Sequence, residues 1–97
     1  MALSKVITED KIEIVGATKD IQVRTKTAVM EDGVELSSGF HRHVVISVSS
    51  VKNDDDSWTH TDTDVSGESA EVQAIATAVW TDAVKAAKKS ANEAAGA

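Results

Sequence analysis

"IQVRTKTAVMEDGVELSSGFHRHV" (residues 21–44) decides how this chain folds. Its first ten residues alternate and are rich in β-branched side chains, the pattern of a half-buried strand. Asp32-Gly33 then stands between two β runs. Asp-Gly is the preferred pair for a two-residue type I′ hairpin, because both central residues need positive φ and the turn matches the twist of its strands. The turn sets a register. With Glu31 opposite Val34, Val29 faces Leu36, Thr25 faces Phe40, Val23 faces Arg42 and Ile21 faces Val44. Cross-strand partners share a face, so Ile21, Val23, Val29, Leu36, Phe40 and Val44 gather on the apolar side, continued by Ile46 and Val48. Gln22, Arg24, Lys26, Met30, Glu35, His41 and His43 gather on the polar side. A slip of one residue reverses the assignment, and a bulge near Gly39 is where such a slip is expected.

Outward from the hairpin, "KIEIV" (11–15) reads as a further strand and "GATKD" (16–20) as a turn. Residues 1–10 lack a stable period and read as a flexible arm or a short edge strand. "KNDDDS" (52–57) is a polar loop, and "WTHTDTD" (58–64) alternates as another strand. From Ser66 the period becomes helical. Ser66 is the expected N-cap, Glu68 and Glu71 suit the positive end of the helix dipole, and Lys85, Lys88 and Lys89 suit the other. Val65 and Ala70 are placed for a hydrophobic staple, and Gly96 for a stop. Val72, Ile75, Ala76, Val79, Ala83 and Ala86 form one stripe. Trp80, Val84 and Ala87 widen it beyond the ~100° that one sheet covers. The expected fold is α+β, a single domain over 1–97: an antiparallel sheet of three to four strands (11–64) with one long helix (66–95) on one face.

The chain has 97 residues, no cysteine, no proline, two Trp, one Phe and no Tyr. A chain this short buries only ~60–65% of its unfolded surface, and neither disulfides nor thiolate metal sites are open to it. Self-association is one way such a chain gains stability, and the overwide helix stripe (Val72, Ile75, Val79, Trp80, Val84) is the expected place for it. A net charge of −6 argues against nucleic acid as the partner, since phosphate neutralisation needs a basic face. No apolar run reaches the ~18–20 residues that span a bilayer, and Met1-Ala2-Leu3-Ser4-Lys5 lacks a signal-peptide core, so synthesis in a cytoplasm is expected.

His41-x-His43 puts two imidazoles on one side of a strand. A transition-metal site wants three or four ligands; His60 supplies a third only if its strand lies alongside, and a threefold assembly supplies six nitrogens from two histidines per chain. Against this, Arg24 and Lys26 stand opposite the histidines, and a solvated strand face explains the pattern as well. "DTDVSGES" (62–69) imitates the start of a calcium loop, with Asp62, Asp64, Ser66 and Gly67 at the first, third, fifth and sixth places, but Gln73 stands where the bidentate Glu belongs. Nothing marks a nucleophile elbow, a phosphate-cradling loop or a carboxylate pair, so no catalytic residue is assigned and no enzyme is expected.

At "IQVRT", "EDG", "FHRHV" and "WTHTDTDVSGESAEVQAI…AVWTDAV" the sequence resembles a group of short, uncharacterised structural-type proteins of tailed bacteriophages from marine and cyanobacterial hosts. The likeness runs over residues 11–87. It implies a virion component that is tail- or fibre-associated and acts through contacts with other virion proteins, as a homo-oligomer with a trimer as one form. Alternatives are a capsid decoration protein, a histidine-based metal- or ligand-binding module, and a small regulator of the host. The surface candidates on the sheet are Arg24, Lys26, Arg42, His41, His43 and His60.

Overall fold

The computed structural model describes residues 2–96; Met1 and Ala97 lie outside the described residues. The chain is α+β, but its strands form two sheets and its helical region forms two helices. β1 (Leu3–Val15), β2 (Asp20–Glu31) and β3 (Val34–Val45) make an antiparallel meander in the order β1-β2-β3. β4 (Val48–Lys52) and β5 (Trp58–Asp62) make a separate hairpin. α1 (Ala70–Val79) and α2 (Asp82–Ala95) follow.

Residues 3–10, expected as an arm or a short strand, belong to a 13-residue edge strand. β2 supplies the ladder that orders them, with Leu3 opposite Glu31 and Ile7 opposite Thr27. A bulge leaves Asp10 unpaired between Glu9 and Lys11. The Asp32-Gly33 turn forms as expected, with φ of 49° and 85°, and Glu31 does face Val34.

Two residues later the register departs from expectation. Met30 faces Glu35 but Val29 faces Ser37, so Leu36 is an extra residue in β3. One inserted residue moves every later side chain to the other face. Thr25 therefore pairs with His41, Val23 with His43 and Ile21 with Val45. Both histidines lie on the side that carries the core. Phe40 and Val44, assigned to the apolar side, lie on the other, opposite Lys26 and Gln22. The bulge sits three residues before Gly39, where one was expected.

The single helix is also corrected. α1 ends at Trp80, whose φ of −87° and ψ of 70° leave the helix, and Thr81 caps α2 by accepting from the Val84 N–H. Ser69, not Ser66, caps α1, accepting from Val72 N–H at 3.3 Å. Ser66 instead lies in a turn where its N–H donates to Asp64 Oδ1. Gly96 closes α2 with a left-handed φ of 71°, where glycine carries no Cβ penalty.

The core is small. Ile21, Val23 and Val45 of the sheet pack against Val72, Ala76 and Trp80, flanked by Ile12, Val65, Ile75, Val79 and Val84. Trp80 anchors it twice, through its buried ring and through Nε1 donating to the Lys19 carbonyl at 2.8 Å. α2 buries no residue. Polar contacts hold it: Lys88 to Asp20, Lys85 to Asp62, and Asn92 donating to the Val48 carbonyl at 3.0 Å.

The core cluster lies at one end of the long sheet, and among the described residues of the projecting half Ala28 alone is buried. The molecule measures 62 × 28 × 22 Å with a radius of gyration of 17.7 Å, against about 12.5 Å for a compact domain of this length. Its accessible surface is 6222 Å², whereas a compact monomer of 10.2 kDa exposes about 5,300 Å².

Candidate assembly surface

Part of the surplus surface belongs to α2, which buries no residue, and to the β4–β5 hairpin. Another part belongs to the half of the β1–β2–β3 sheet that projects beyond the core. On the helix-bearing face of this ribbon, Leu3, Ile7 and Val34 are 63%, 66% and 63% exposed, with no element of the chain above them. Their register explains this. Leu3 and Ile7 pair with Glu31 and Thr27, near the turn, while the core residues Ile21 and Val23 sit at the other end of β2.

The opposite face holds a cationic and aromatic group. Arg24 pairs across the sheet with Arg42, and Lys26 with Phe40. The guanidinium of Arg24 lies 4.5 Å from the centre of the Phe40 ring and that of Arg42 lies 6.0 Å from it, both within cation–π range. Arg24 donates to both oxygens of Asp10 at 3.0 and 2.8 Å, a bidentate match that the Asp10 bulge makes possible. This pairing holds the Asp10 carboxyl below, and the Arg24 guanidinium above, their ordinary ranges. Lys26 pairs with Glu35 at 2.9 Å. Arg42 makes no ion pair among the described residues. Beside it a half-open hollow of about 420 Å³ is lined by Lys11, Glu13, Gln22, Arg24 and Val44, with Val23 and His43 at its rim.

The histidines go to other work. His43 Nε2 lies 2.8 Å from Glu68 Oε1; a carboxylate only accepts, so this nitrogen carries the proton. Ser69 Oγ donates to Glu9 Oε1 at 2.6 Å, so two neighbouring residues ahead of α1 lock onto β3 and β1. His41 stacks on His43 at 6.3 Å between ring centres and is otherwise exposed. His60 stands on the separate hairpin, stacked on Trp58. Its Nδ1 is 2.6 Å from Ser50 Oγ and its Nε2 3.7 Å from Glu93 Oε2. Asn92 donates to that same Ser50 oxygen at 2.9 Å. This array ties α2 to β4 and β5, and neither of the two cavities described touches it. Among the described residues no group of three or more His, Asp or Glu is placed to hold a metal ion. The site needing His60 beside His41 and His43 is not formed, and Asp62, Asp64 and Ser66 form no calcium loop.

The apolar helix positions expected to face a partner are corrected as well. Val72 is 0% and Trp80 9% exposed, and Ile75, Val79 and Val84 pack against the same core. The break at Trp80–Thr81 splits the wide stripe, which lets α1 turn its whole apolar side to the sheet. Arg24, Lys26 and Arg42 do lie on a solvent-reaching sheet face. Sequence reasoning missed the projecting apolar residues Leu3 and Ile7; their alternation with Ser4 and Thr8 carried the signal, interrupted by Lys5 on their own face. No helix among the described residues is long and apolar enough to cross a membrane. The chain matches no known family model, no curated protein and no solved structure.

Proposed function

We propose that this protein is a structural subunit of a larger assembly, an accessory component of a tailed-phage virion, working through protein–protein contacts. One observation carries the reading: half of a long three-stranded sheet projects from the core with large apolar side chains on view and nothing of its own chain to cover them. Exposed apolar patches of this kind mark interaction surfaces. The excess surface, about 900 Å² over a compact monomer, is of the same order as the ~800 Å² that each partner contributes to a standard interface. The resemblance to short phage structural-type proteins supplies the setting, with tail or fibre preferred over capsid decoration. The reading assigns no catalysis and places the protein in the virion.

The test is mass spectrometry of purified particles from a phage encoding this chain. The protein should be found at a fixed copy number per particle, retained through density-gradient purification. Its presence in infected-cell lysate together with absence from particles would contradict the reading and favour the host regulator.

A further inference from the structure

We infer that β3 is the mating edge, and that two copies of this chain join antiparallel along it, about a twofold axis through His41, into one six-stranded sheet. This rests on the assembly reading and names one contact of the projecting ribbon, its free β3 edge, with its register; Leu3 and Ile7, on β1, lie outside that contact.

The two edges of the β1–β2–β3 sheet are built differently. Natural edges are blunted by lysines and bulges. β1 has both, with Lys5 and Lys11 and the extra residue Asp10. β3 has its bulge near the tip, at Leu36, and from Ser37 to Val45 it runs in unbroken register without lysine or proline. A long regular edge strand without such deterrents is a template for pairing.

Symmetry fixes the register. A twofold axis normal to the sheet keeps like faces together, so it must pass through a residue position. The regular segment runs from Ser37 to Val45, and its midpoint is His41. Only that centre uses the whole segment, pairing Ser37 with the other copy's Val45. It also places Phe40 of each copy opposite Arg42 of the other, twice, on the face where Arg42 has no carboxylate. An axis through Arg42 would set two guanidinium groups against each other, and like charges directly opposite are destabilising. An axis through Phe40 would drive the Leu36 bulge into the partner's ladder at Val44.

The β3 strand also has large apolar side chains on view. Phe40 and Val44 are 50% and 55% exposed, on an edge where no other strand of the described residues pairs. A twofold partner laid along β3 covers both.

The chain has no cysteine, so single cysteines report the register without interference. In the proposed dimer the two residue-41 Cβ atoms sit directly opposite, ~4.5–5.5 Å apart, whereas two residue-40 Cβ atoms sit diagonally, ~7–8 Å apart; disulfides form near the shorter spacing. Mild oxidation of His41→Cys should convert most of the chain to a covalent dimer. Phe40→Cys, and Ile7→Cys on β1, should stay largely monomeric on denaturing gels. Circular dichroism of each variant checks that it is folded. Arg42→Glu should weaken self-association at least tenfold, and Arg42→Lys should restore most of it. If light scattering finds the unmodified protein associated while Ile7→Cys cross-links faster than His41→Cys, the β3 register is wrong and the assembly reading stands. If the unmodified protein is monomeric at several hundred micromolar, the β3 dimer falls, while the assembly reading is decided by the particle analysis.

Discussion

The two ends of the β1–β2–β3 sheet are built from similar residues and end in opposite environments. At the base, Ile21, Val23 and Val45 lie under α1 and are buried; at the tip, Leu3, Ile7 and Val34, on the same face, lie open. Composition does not separate them. Length does. A 12-residue strand runs about 40 Å, whereas the ten residues of α1 span about 15 Å. One unbroken helix over 66–95 would have run about 45 Å, enough to roof the whole sheet. The break at Trp80–Thr81 sends α2 toward the β4–β5 hairpin, where Asn92, Lys85 and Glu93 engage it. The tip is left bare by one local event, and a bare tip on a regular sheet is what an assembling subunit presents.

If base and tip differ as described, substitutions at the two ends should differ most. Trp80→Ala removes a buried ring and the Lys19 hydrogen bond and should cost about 3–5 kcal/mol, a large share of the ~5–15 kcal/mol typical of a domain. Ile7→Ala should change the unfolding free energy of dilute protein by less than about 0.5 kcal/mol. Denaturant titration at low micromolar concentration measures both. Equal losses would show that the tip is part of the core.

Thr81→Ala tests the break itself. Losing the cap hydrogen bond to Val84 should cost about 1 kcal/mol, with helical content by circular dichroism falling rather than rising. Gly33→Ala acts at the tip alone. Its φ of 85° suits no residue with a Cβ, so the hairpin should lose about 1 kcal/mol, read as faster amide exchange around residues 29–36 with little change in the helices.

The smallest effect is at the junction of the two ends. Asp10 is held below the ordinary carboxylate range by its hydrogen bonds with Arg24. A carboxylate depressed in the folded state stabilises it above the unfolded value, and that contribution is lost as pH falls through the depressed one. Asp10→Asn should therefore flatten the decline in stability below about pH 4 and leave the neutral-to-alkaline profile parallel to that of the unmodified protein. Thermal melts between pH 2.5 and 7 read this directly.

Much of the architecture is legible from residues with local consequences. Asp32-Gly33 announces its turn because few other pairs accept two positive φ angles, and Gly96 announces its stop for the same reason. The switch from a period of two to a helical period after residue 65 separates sheet from helix. The Leu36 bulge is not legible, because its residues are ordinary and the insertion is defined only by the ladder with β2. That one residue exchanges the faces of Phe40, His41, Arg42 and His43, so the face assignment fails where the α+β class holds. The helix break had a readable signal: Thr81-Asp82 is a capping pair inside the run. Its alanine-rich surroundings keep the helical period going and mask it. The His43–Glu68 contact joins residues 25 positions apart and depends on the shifted register, so no local pattern encodes it.

The central claim is that other copies complete the projecting ribbon. Hydrogen–deuterium exchange of the unmodified protein at 1 µM and at 500 µM addresses it residue by residue. Amides of residues 37–45 should become at least tenfold more protected at the higher concentration, while those of residues 72–80, already inside the chain's own core, should not change. Exchange along β3 that is identical at both concentrations would contradict the account.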